Sequence, residues 1–73
     1  MGKKLNELDY IIRYEAGELN DKEMLKLFSH LIKNGKVWHL QGHYGRTAQA
    51  LIDNNFISIK GDLTNKSKEF MSI

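Results

Sequence analysis

The chain has 73 residues, a net charge of +2 and no cysteine. One domain spanning residues 1–73 is all this length allows, and such a chain buries only about 60% of its unfolded surface, so its stability is marginal. The missing cysteines exclude a disulfide framework and a thiolate zinc site, leaving oligomerisation, most simply a homodimer, as the staple open to it.

In chain order, the first expected helix runs from about Leu5 to Ala16, with Leu5, Leu8, Ile11 and Ile12 as one apolar stripe. Gly17 follows as a left-handed stop. Asn20, with Glu23 three residues on, forms a capping box, and Leu19 and Met24 stand at hydrophobic-staple positions across it. A second helix therefore starts there and carries Met24, Leu25, Leu27, Phe28, Leu31 and Ile32, a face wide enough for a core. Asn34-Gly35 ends it. The short link through Gly17 makes the two helices an αα-hairpin.

Residues 36–45 read as irregular or briefly extended, with Val37, Trp38 and Leu40 as apolar anchors and Trp38 in the core beside Phe28 and Leu40. A third helix is expected from Arg46 or Thr47 to Asp53, with Ala48, Leu51 and Ile52 inward and Asn54-Asn55 as its exit. Phe56-Ile57-Ser58-Ile59-Lys60 is β-rich, and Gly61-Asp62 is a turn signal allowing a short C-terminal β-hairpin with Leu63-Thr64. Residues 65–73 read as a frayed helix or tail and, with residues 1–4, as the flexible ends. The fold class expected is mainly α: a small three-helix domain, made of an N-terminal αα-hairpin plus a third helix, with a possible short C-terminal β-hairpin.

Chemistry-bearing residues concentrate in Leu40-Gln41-Gly42-His43-Tyr44-Gly45-Arg46-Thr47-Ala48, read as a glycine-punctuated turn running into a helix start. Three readings stand side by side. The turn positions the third helix; or Gln41, His43, Tyr44 and Arg46 form a partner-binding surface; or the helix start receives a small anion with Arg46 as clamp. The spacing fits neither a P-loop nor a dinucleotide fingerprint, and the Gly-x-x-Gly echo of KH domains lacks their strands. His39 and His43 stand four apart, but no helix is expected there and only His30 offers a third ligand, so no metal is expected. Ser29, Thr47 and Ser58 have no evident His–acid partners, and the acids around Glu15 to Glu23 complement a helix dipole. No catalytic residue, enzyme activity or cofactor is expected.

The eleven Lys and Arg residues are interleaved with nine acids, which describes a solvated surface better than a nucleic-acid footprint. A third helix followed by Asn55 to Gly61 nevertheless has the outline of a recognition helix and wing, so a small winged-helix-like DNA-binding regulator is the alternative. Met1-Gly2-Lys3-Lys4 leads into a mixed polar segment unlike a secretory signal, Asn6 stands where myristoylation needs Ser or Thr, and no membrane partner is expected.

Tyr14-Glu15-Ala16-Gly17-Glu18-Leu19, then Leu27-Phe28 with Leu31-Ile32, then Trp38-His39 leading into the Leu40–Ala48 segment, then Leu51-Ile52, resemble a family of very small bacteriophage proteins of unknown function. Those proteins share a "YE-GEL … LF-LI … W-LQG-YGRTA-LI" arrangement, which here covers positions 8 to 57. The resemblance implies a phage product acting in the cytoplasm of an infected bacterium. In that setting the expected function is a non-enzymatic binding module that engages and modulates a host bacterial protein through Gln41, His43, Tyr44 and Arg46.

Overall fold

A computed structural model describes residues 5–71. Four helices follow one another: α1 (Glu7–Glu15), α2 (Asp21–Lys33), α3 (Gly42–Asp53) and α4 (Asn65–Met71), with a 3-10 turn at Lys36–Trp38. Residues 1–4, expected to be flexible, lie outside the described residues.

The first hairpin follows from local chemistry. Asn20 accepts from the Glu23 amide at 2.9 Å while the Glu23 carboxylate accepts from the Asn20 amide at 3.1 Å, which completes the capping box. Gly17 (φ +74°) and Gly35 (φ +77°) take the left-handed backbone that closes each helix. Ion pairs join the hairpin at both ends. Arg13 Nη2 meets Glu23 Oε2 at 2.8 Å, and Glu7 accepts from His30 Nε2 at 2.9 Å and Lys36 Nζ at 2.8 Å.

α2 is the central element. Leu25, Leu27, Phe28, Leu31 and Ile32 are buried, and Val37, Tyr44, Ala48 and Ile57 complete the core around them. Each fully buried large side chain stabilises the fold by about 1.5–3 kcal/mol relative to exposure. Leu51 and Ile52 pack against this core from α3, as their spacing predicts.

Four expectations are corrected. Of the expected stripe, Leu5 and Ile11 pack against the core, but Leu8 (69%) and Ile12 (59%) are exposed, and Tyr10 and Tyr14 of α1 take their place. The tyrosines win because Tyr14 meets Phe28 edge-on, with ring centroids 5.5 Å apart, and so rotates the inward stripe away from the aliphatic one. Trp38 is 49% exposed, since its neighbour Val37 takes the core position at 0%.

The third helix starts at Gly42, four residues ahead of Arg46, so residues 42–45 are its first turn and not a preceding loop. A glycine costs a helix about 1 kcal/mol relative to alanine, less than the burial of Tyr44 supplies.

The C-terminal β-hairpin does not form. Ile57 and Leu63 make one isolated antiparallel bridge, and no strand occurs among the described residues. The Thr64 amide still donates across to the Phe56 carbonyl at 3.3 Å, and pairing goes no further because α4 begins at Asn65, where the Thr64 hydroxyl accepts from the Ser67 amide at 3.3 Å. The outlined wing is therefore a closed turn. In it the Ser58 amide donates to Asp62 O at 2.8 Å and the Gly61 amide to Ser58 O at 2.9 Å.

Candidate partner-binding surface on the third helix

Residues 36–44 are tied to α1 at both ends. Glu7 takes Lys36 at one end, and at the other the dipeptide Tyr14-Glu15 meets the dipeptide His43-Tyr44. Tyr44 donates its hydroxyl to Glu15 Oε2 at 2.7 Å, and its ring lies 5.1 Å from Tyr14 and 6.1 Å from Phe28. Burial, together with the Glu15 carboxylate, pushes the Tyr44 phenol well above its ordinary value of 10, so it stays a neutral donor.

His43 stacks on this cluster, 4.4 Å from the Tyr44 ring. Its Nε2 faces Gln41 Oε1 at 3.2 Å, which as acceptor calls for the proton on Nε2, and Nδ1 faces the Tyr14 hydroxyl at 3.4 Å. The Gln41 side chain makes no capping bond to α3.

The four expected site residues thus divide between two faces. Tyr44 is 2% exposed and forms part of the core, which corrects its place among surface anchors. Gln41 and Arg46 are exposed, and His43 is half-buried between them and the aromatic cluster. Trp38 belongs with this outer group. Its six-membered ring lies beside Gly45, where a Cβ would be 3.8 Å from Trp38 Cε3, and the Arg46 guanidinium reaches back over Gly42, whose Cβ would be 3.4 Å from Nη1. From the sequence, Trp38 could fill a partner's pocket or join the core, and core burial is the favoured reading because no spacing signal separates it from Val37; the structure leaves it 49% exposed. The one available signal is composition, because tryptophan and arginine are the types enriched at binding hot spots.

Chemistry elsewhere is sparse. His30 is engaged by Glu7, and among the described residues no three His, Asp or Glu side chains gather as a metal site. An apolar cleft of about 330 Å³ opens between Met24, Leu25, Leu51, Phe56 and Phe70, with Asp21 as its one titratable side chain, and so holds no acid–base pair. No helix among the described residues is long and apolar enough to cross a membrane.

The fold is a small four-helix domain with an aromatic core cluster and a polar surface around one half-exposed tryptophan. The profile of a domain family of unknown function (DUF7417) matches residues 1–72, and the chain belongs to that family. Neither a curated protein nor a solved structure matches the chain.

Proposed function

We propose that this chain is a non-enzymatic, phage-encoded binding module that engages and modulates a host bacterial protein in the cytoplasm. The observation that carries this reading is Trp38, held 49% exposed beside Gly45 in the first turn of α3, the same turn that carries His43 and Arg46 and follows Gln41. An aromatic anchor beside an arginine on a rigid scaffold is the composition of an interface centre, where a few side chains carry most of the binding energy. The scaffold beneath is rigid for a stated reason: Tyr44, Tyr14 and Phe28 lock α3 to the hairpin. The phage setting is supported by the Leu40–Ala48 motif and its spacing from Tyr14-Glu15.

The test is affinity capture from nuclease-treated bacterial lysate at low and high salt, comparing the natural chain with Trp38→Ala and Arg46→Ala. The expected result is one protein retained at high salt by the natural chain and lost by both variants, whose circular dichroism spectra stay helical. Retention unchanged by both substitutions would contradict the reading. Recovery of nucleic acid alone, at low salt, would give the surface to the DNA-binding alternative.

A further inference from the structure

α3 opens with two glycines that its own backbone does not require. Neither Gly42 nor Gly45 has a positive φ. A Cβ on Gly45 would make ordinary contact with the Trp38 ring at 3.8 Å, and one on Gly42 would stand 3.4 Å from the far end of Arg46. Alanine fits both positions and is the better helix former. What glycine does at these positions is keep the helix surface low beside two exposed groups, the Trp38 ring and the Arg46 guanidinium.

The acids that reach this segment from α1 are taken, Glu7 by Lys36 and Glu15 by the Tyr44 hydroxyl. From Met24 to Ile52 the chain contains no acidic residue, while Lys26, Lys33, Lys36, Arg46 and all three histidines fall within that span. Lys33 is paired with Asp62 and Lys36 with Glu7, whereas Arg46 enters no ion pair among the described residues. An arginine with its full set of donors over Gly42 and a half-exposed aromatic ring by Gly45, on one helical turn, are complementary to a carboxylate next to an apolar group.

Resting on the binding-module reading, we propose that the partner presents an acidic segment carrying an apolar side chain. The apolar group lies on Trp38 in the space over Gly45, and a neighbouring carboxylate takes Arg46. A nucleic acid fits less well, because it needs a row of unpaired cations and the nearby Lys36 is already held by Glu7.

The experiment selects a random library of short displayed peptides on the full chain and reads their binding through Trp38, the single tryptophan. Enriched peptides are expected to carry Asp or Glu beside an apolar residue and to shift the Trp38 emission. Arg46→Glu reverses the preference toward Lys and Arg. Gly45→Ala weakens the selected peptides by about tenfold while leaving the fold no less stable, because its methyl fills the space they use. Failure to enrich acidic residues, or indifference to Arg46→Glu, overturns the proposal, as does stronger quenching of Trp38 by oligothymidine than by any acidic peptide. The underlying reading fails separately. Lysate capture that needs Trp38 but ignores Arg46→Glu keeps a binding module and removes the acidic partner, whereas capture that ignores Trp38 removes both.

Discussion

Gly61 and Gly45 sit in two segments that pack against the rest of the molecule in opposite ways. At Gly61, φ is +99°, and a Cβ would stand 2.6 Å from Lys33 Cγ, 2.9 Å from the Lys33 amide nitrogen and 3.0 Å from Ser29 O. The 58–62 turn therefore lies directly on the α2 backbone, and the Ser29 hydroxyl donates to Gly61 O. At Gly45 the backbone is helical and a methyl would make only ordinary van der Waals contact with the Trp38 ring. One glycine is a condition of the fold, and the other is not. The structural duty of the 42–46 segment rests on Tyr44, with His43 stacked on it, while Gly45 and the exposed Arg46 make no contact the fold requires.

Tyr44→Ala tests that division with the largest expected effect. Emptying a large aromatic site costs about 3–5 kcal/mol. A domain of this size is stable by about 4–11 kcal/mol, so the variant is expected to lose a large share of its stability and to melt at a much lower temperature by circular dichroism. A native-like melt would break the comparison, because Tyr44 would then not be the structural member of its segment. Gly61→Ala comes next. The positive φ alone costs about 1–2 kcal/mol and the clash with the Lys33 backbone adds to it, so denaturant titration should show a loss of about 2 kcal/mol or more.

Smaller effects sharpen the picture at the hairpin that carries both segments. Asn20→Ala removes one half of the capping box and should cost about 1 kcal/mol in a urea titration. The hairpin's acids give a pH dependence of definite sign. The Lys36 ammonium, then the His30 and Asn34 hydrogen bonds, hold Glu7 below its ordinary 4.5 against the opposing effect of desolvation. The Asn20 amide, then Arg13, does the same for Glu23. A depressed folded value means that this stabilisation is present above the unfolded-state value and is lost as pH falls through the folded one. The melting temperature is therefore expected to drop as pH falls below about 4.5, and Glu7→Gln should flatten that drop. An equally steep drop in the variant would show that the Lys36 end of the hairpin is not held by Glu7.

Where short-range chemistry decides, the fold is legible in the sequence. The Asn20–Glu23 box, the left-handed glycines at 17 and 35, and the α2 core face all follow from residues a few positions apart. What is not legible depends on which neighbour arrives from afar. Leu8 and Ile12 lose the inward face to tyrosines whose partners lie on α2 and α3, and Trp38 loses the core to Val37. Gly42 and Gly45 read as a turn until Tyr44 is seen bonded to Glu15, 29 residues away. The site is half legible for the same reason. Gln41 and Arg46 are polar residues that stay at the surface, whereas the places of Tyr44 and Trp38 are set by tertiary packing.

The central claim is that the outward side of the 42–46 segment is shaped for something other than stability, and the thermal midpoint of Gly45→Ala tests it most directly. Replacing an unneeded helical glycine by alanine stabilises by about 0.5–1 kcal/mol, so the midpoint should rise by about 2–8 °C. A fall in the midpoint would mean that Gly45 is required by the fold after all, and the separation of the two faces would not stand.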